Sequence, residues 1–80
     1  MTQQAKKLTK FLKTPGSLRF AGIKTLLIRA GFELVKISGS HHIFKHPAME
    51  NHDYLVLVVH QNDCLPVYKH KAAKWLKRIL

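Results

Sequence analysis

Ser38-Gly39-Ser40 separates two short β-prone runs, and this break constrains the fold more than any other feature of the chain. Upstream, Phe32-Glu33-Leu34-Val35-Lys36-Ile37 alternates in strand fashion. Downstream, His41 to His46 reads as the returning strand, stopped by Pro47. A glycine at position 39 can take the positive φ that a two-residue hairpin demands. The spacing therefore predicts an antiparallel hairpin whose second strand opens on two adjacent histidines, His41 and His42. Side chains alternate along a strand, so the two rings should face opposite ways.

The other elements follow from pattern and punctuation. Residues 4–13 read as a short amphipathic helix with Leu8, Phe11 and Leu12 on one face and lysines on the rest. Thr14-Pro15-Gly16-Ser17 breaks it. A second helix is expected from about Phe20 to Arg29, burying Ile23, Leu26, Leu27 and Ala30, with Gly31 at its C-terminal cap. Ala48 to His52 reads as a polar loop. Tyr54 to His60 is the strongest strand signal, apolar on both faces, so one face should pack on helices while the other is open to a partner. Gln61-Asn62-Asp63 reads as a loop. Pro66 suits the first turn of a last helix. That helix has Tyr68, Ala72, Trp75, Leu76 and Ile79 as its apolar stripe, and Lys69, Lys71, Lys74, Lys77 and Arg78 on its other side.

The order is thus α–α–β–β–β–α. The expected fold class is α+β: an αβββα core over residues 20–80 with a three-stranded antiparallel sheet, and an N-terminal helical extension over 1–19, all in a single domain. This is the element order of a double-stranded-RNA-binding domain, which reads RNA by shape and backbone contacts.

Charge narrows the function classes. The chain carries 14 Lys+Arg against 4 Asp+Glu, a formal net charge of +10. Residues 1–31 contribute +7 and residues 64–80 contribute +5, both without an acid, while the middle, 32–63, is −2. The cations therefore flank the histidines, as a phosphate-binding field would. No apolar run is long enough to span a membrane. The first residues, Met1 to Lys7, lead into no apolar segment, so no secretory signal is expected. Cys64 is the sole cysteine and can form no internal disulfide, which fits a reducing cytoplasm.

Histidine is the side chain that exchanges protons near neutral pH. RNA can be cut without a metal because its own 2′-OH attacks the neighbouring phosphate. A protein need only move protons and stabilise the charge that develops. His41 and His42 are both candidates for the proton transfer. Gly39, Ser40, Lys36 and Lys45 at the hairpin, and Lys69 and Lys71 at the start of the last helix, are candidate RNA contacts. His46 reads as a structural cap at the strand end, His60 as a candidate lining residue of the same site, and His52 and His70 as surface residues. A zinc site is not expected: His42 and His46 would lie about 13 Å apart along a strand, and the Cys or carboxylate partners of common sites are absent. No cofactor is expected.

The stretch from Ala30 to Pro47, with its Gly39-Ser40-His41-His42-Ile43-Phe44-Lys45-His46-Pro47 core, resembles the HicA toxins of bacterial and archaeal HicA–HicB toxin–antitoxin systems. The family pattern is a helix ending in Ala-Gly-Phe, a strand, Gly-Ser-His with a second histidine often following, then an aromatic and His-Pro. Val58-Val59-His60 fits a later strand ending in histidine, although Val58 departs from the commoner Pro-x-His form. Leu65-Pro66-Val67-Tyr68 fits the start of the C-terminal helix, and Pro15-Gly16-Ser17-Leu18-Arg19-Phe20 fits the connection after an N-terminal helix. The resemblance spans nearly the whole chain. It implies a double-stranded-RNA-binding-like fold and a small metal-independent ribonuclease that cuts messenger RNA in the cytoplasm. It also implies inhibition by a HicB-like antitoxin, with the toxin monomeric when free and in a heteromeric complex when inhibited. Its catalytic histidine maps onto His41, or onto His42 in members that keep only the second position. Two other readings stand beside it: a non-catalytic RNA-binding module of the same fold, and an adaptor whose apolar strand face docks a partner. The Gly-Ser-His turn favours the nuclease over the first of these, and the charge favours RNA over the second.

Overall fold

The computed structural model describes residues 3–80. Met1 and Thr2, the start of the expected extension, lie outside them. The chain runs α1 (Gln3–Lys13), a single 3-10 turn (Pro15–Ser17), α2 (Phe20–Arg29), β1 (Glu33–Ser38), β2 (His41–Lys45), β3 (Leu55–His60), β4 (Asp63–Cys64) and α3 (Pro66–Ile79). The strands form an antiparallel meander in the order β1-β2-β3-β4. The α+β architecture read from the sequence is present, with one addition. Gln61 and Asn62 both take positive φ, 53° and 64°, the backbone of a two-residue hairpin turn. They turn Asp63 and Cys64 back onto His60 and Val59 as a short fourth strand where the sequence reads as loop.

The core lies between the sheet and the helices. Phe44, Leu55 and Leu57 point from β2 and β3 toward Ile23, Leu26 and Leu27 of α2 and Ala72, Ala73 and Leu76 of α3. Phe11 of α1 is wholly buried in the same cluster. Leu8 and Leu12 of the same helix pack against that cluster, so the apolar face of α1 ties it to the rest. No helix among the described residues is long and apolar enough to cross a membrane.

Two local devices close α2. At its C-terminus Gly31 has φ +100°. The Phe32 N–H donates to the Leu27 carbonyl at 3.0 Å and the Gly31 N–H to the Ile28 carbonyl at 3.1 Å, the paired bonds of a Schellman cap. His46 seals this end: its Nε2 sits 2.8 Å from the Ala30 carbonyl, and its Nδ1 accepts the Ala48 N–H at 3.0 Å. These bonds assign the proton to Nε2 and make His46 the structural residue expected.

At its N-terminus α2 has no local side-chain cap. The Phe20 N–H instead donates to Asp63 Oδ1 at 3.0 Å, across 43 residues of sequence. The same carboxylate accepts the Cys64 N–H at 2.9 Å and pairs with Lys69 Nζ at 3.2 Å. Desolvation pushes the Asp63 carboxyl up. The Cys64 N–H, the Lys69 ammonium and the Phe20 N–H outweigh it, and the group lies below its ordinary value. Lys69 is therefore not on the outer side of α3 with the other lysines; it is 7% exposed and committed to this ion pair. Beside it, burial pushes the Cys64 thiol up, leaving an unreactive side chain packed in the core.

Gly31→Ala should lower the free energy of unfolding by about 1–3 kcal/mol, because a non-glycine residue is strained there and its Cβ would lie 3.0 Å from His46 Nε2. Gly39→Ala, with φ +59° but nothing within 4 Å of the new Cβ, should cost only about 1 kcal/mol. Urea melts of the two variants check the difference. Asp63 gives a pH signature. Its folded pKa is depressed, so its stabilising contribution is complete above the ordinary value of 3.8 and is lost as pH falls through the lower, folded value. Asp63→Asn should reduce stability at neutral pH and flatten the acid limb below about pH 4. An acid limb identical to wild type in thermal melts across pH would rule this contribution out.

Candidate nucleic-acid interface

The hairpin decides where the histidines go. Ser38 pairs with His41, leaving Gly39-Ser40 as the two-residue turn, with glycine at the first central position. His41 thus starts β2 on the sheet face that the helices leave open. It pairs with Val58 of β3, and its exposed ring has no hydrogen-bond partner among the described residues. His42 points the other way. It is half-buried, its ring meets Phe20 edge-on at 4.9 Å, and its Nδ1 lies 3.3 Å from the Ser40 carbonyl. The two candidates differ by one residue in sequence and by a whole layer in space.

An irregularity in β1 completes the open face. Leu34 pairs with Phe44 and Lys36 with Ile43, so Val35 is an extra residue, a β-bulge. Strict alternation would put Leu34 and Lys36 on one face. The bulge breaks that parity. Leu34 packs against the core, while Lys36 joins His41 in an open groove of about 420 Å³. Ser38, Ile43, Lys45, Tyr54 and Val56 line the rest of it. No acidic side chain does.

The other candidate contacts vary in availability. Gly39 is exposed at the turn tip, and Ser40 is half-buried with its carbonyl accepting the Val59 N–H at 2.8 Å. Lys36 is exposed. Lys45 is half-buried and its Nζ donates to the carbonyls of Asn51 and Asp53, so it pins the β2–β3 loop while keeping its charge in the groove. Lys71 is exposed on α3, 5.7 Å from the Tyr68 ring. Lys69 is buried by its bond to Asp63 and does not reach this surface. His60 is exposed at the end of β3, and His52 and His70 are exposed surface residues. No three His, Cys, Asp or Glu side chains among the described residues converge as a metal site.

Sequence reasoning passed over Tyr54, Trp75 and Arg78. Trp75 reads as core because it shares the apolar stripe of α3, yet it is only half-buried, with the Arg78 guanidinium 4.5 Å from its ring centre. The signal was present: positions 71, 74, 75 and 78 share one helical face.

The family model for the HicA toxin of bacterial toxin–antitoxin systems matches residues 22–79, from within α2 to the end of α3. Neither the curated proteins nor the solved structures gave a match. The matched span contains the whole β-meander, the Gly-Ser-His turn and the flanking helices, and no helix of the described residues could anchor the chain across a membrane. On that match the chain belongs to the HicA toxin family, and so is the toxin member of a toxin–antitoxin pair.

Proposed function

We propose that the chain is an endoribonuclease that cleaves messenger RNA by attack of the 2′-OH on the adjacent phosphate, with His41 as its acid/base group. The observation that carries this reading is an unpartnered imidazole in an open, acid-free groove beside Lys36 and Lys45. His41 takes the proton of the 2′-OH as the oxygen bonds to phosphorus. The imidazolium then returns that proton to the departing 5′ oxygen as the P–O5′ bond breaks. Lys36 and Lys45 offset the negative charge that builds on the phosphorane. The products are a 2′,3′-cyclic phosphate and a 5′-hydroxyl. This route needs no metal or cofactor.

The partner reading follows from the same face. An antitoxin of the HicB type would silence the enzyme by covering the His41 groove and its lysines. The chain works as one unit over residues 1–80 in this reading, supported by the burial of Phe11 in the common core, and it acts in the cytoplasm, where messages are translated.

Cleavage of an end-labelled messenger by wild type, His41→Ala and His42→Ala, with and without chelator, tests the chemistry. His41→Ala should lose about 10²–10⁴-fold in rate with a nearly unchanged melting curve, since its exposed ring makes no hydrogen bond among the described residues. His42→Ala should still cut but lose about 1 kcal/mol of stability with the Phe20 edge contact. Chelator should leave the rate unchanged, and the fragments should end in cyclic phosphate and 5′-hydroxyl. Full activity in both variants would eliminate the histidine mechanism, and loss in His42→Ala alone would transfer the role to its neighbour. A wild type that binds messenger without cutting it would establish the non-catalytic module instead.

A further inference from the structure

The groove at His41 does not stop at β3. Tyr54 and Val56 line it and also line a second open groove, of about 360 Å³, between β3 and α3. The far wall of this second groove is Lys71, Lys74, Trp75 and Arg78. Their spacing of i, i+3, i+4 and i+7 puts all four on one face of α3. Neither groove has an acidic lining residue, whereas the cleft beside His46 carries Glu33 and Glu50. The cations at 71, 74 and 78 span about 10.5 Å of helix rise, a row long enough to meet successive phosphates of one strand.

The aromatic rings identify the ligand class. Tyr54 is 57% exposed where the two grooves meet. Trp75 is half-buried with a guanidinium already over its ring. A row of cations to track the backbone, beside aromatic faces on which bases stack, is how proteins hold single-stranded nucleic acid. A duplex keeps its base faces stacked inside and offers none to Tyr54. An acidic protein would satisfy the lysines but gives no account of the exposed ring at the junction or of the continuity with the His41 groove.

We propose that the α3–β3 groove binds single-stranded RNA, continuing the strand whose phosphate lies at His41, with a base on Tyr54 and the backbone along Lys71, Lys74 and Arg78. The inference rests on the reading of the His41 groove as the cleavage site, because it extends the same strand.

The test measures binding rather than cleavage. The full chain carrying His41→Ala is titrated with a fluorescent single-stranded RNA, and with the duplex of the same sequence, over a range of salt. Tyr54→Ala should weaken single-strand binding by roughly 5- to 150-fold, the equivalent of one lost stacking contact, and Tyr54→Phe should restore it. Lys74→Ala with Arg78→Ala should lower the slope of log affinity against log salt by about 1.4, as two lost phosphate contacts require on a single strand. Duplex affinity should not respond to Tyr54→Ala. All three side chains are exposed, and matching melting curves confirm that the variants fold. Unchanged single-strand affinity and salt slope would overturn the proposal. So would substitutions that release only the antitoxin, which would make the groove a protein-docking face. If these binding effects appear but the wild type never cuts RNA, the nuclease reading fails and the groove assignment stands.

Discussion

The carboxylate of Asp63 holds three elements at once. It takes the first N–H of α2, the N–H of its own neighbour Cys64, and the ammonium of Lys69 on α3. Neither α2 nor α3 has a side-chain cap of its own. An N-terminal cap is worth about 0.5–2 kcal/mol, a large share of what a domain this small can hold in reserve. The backbone that delivers Asp63 is itself demanding, with two consecutive non-glycine residues, Gln61 and Asn62, at positive φ. Arg19 Nη2 approaches the Gln61 carbonyl at 3.4 Å and ties the turn to the start of α2. His46 closes the opposite end of α2 through Ala30 and packs its ring on Phe32 at 4.9 Å. The α2 helix is thus fastened at both ends by residues distant in sequence, and its apolar stripe is held over the sheet.

That fastening has an electrostatic consequence. The chain has only four acids, and one of them is turned inward to meet a buried lysine. Asp53 sits 3.8 Å from the exposed His52 ring, and Glu33 and Glu50 line the cleft near His46. All four are thereby kept out of the His41 groove and its α3 extension. Lys36 and the α3 cations there face solvent, while Lys45 is shared with the Glu33–Glu50 cleft. A surface of this kind attracts polyanions at long range and loses that attraction as salt rises.

With the helices confined to one face, the other face of the sheet stays open. The β2 strand therefore presents two different environments at consecutive positions. His42 fills a gap against Phe20 and contributes to packing. His41 meets solvent and keeps both ring nitrogens available. Adjacent histidines in a sequence look interchangeable, and the pleat makes them chemically distinct.

Much of the fold was legible in the chain because it depends on local chemistry. Gly31 ends α2 because only glycine accepts φ +100° there, Gly39 permits the hairpin, Pro66 starts α3, and the apolar periodicities place Phe11, Ile23, Leu27, Leu57 and Leu76 inside. The candidate site was legible in part, since a turn and a strand period suffice to separate His41 from His42. What the sequence could not reveal depends on register and on partners far along the chain. The bulge at Val35 moves Lys36 to the open face against the apparent alternation, because register is settled by pairing with β2 rather than by β1 alone. Lys69 looks like one more solvated lysine until β4 brings Asp63 to it. Trp75 looks like core until α3 settles against β3 and leaves one side of its ring beside Lys71, Lys74 and Arg78. Local sequence determined which elements form and where they stop. Tertiary contacts decided which charges are buried and which side chains share a surface, because those outcomes depend on distances between segments that no local pattern encodes.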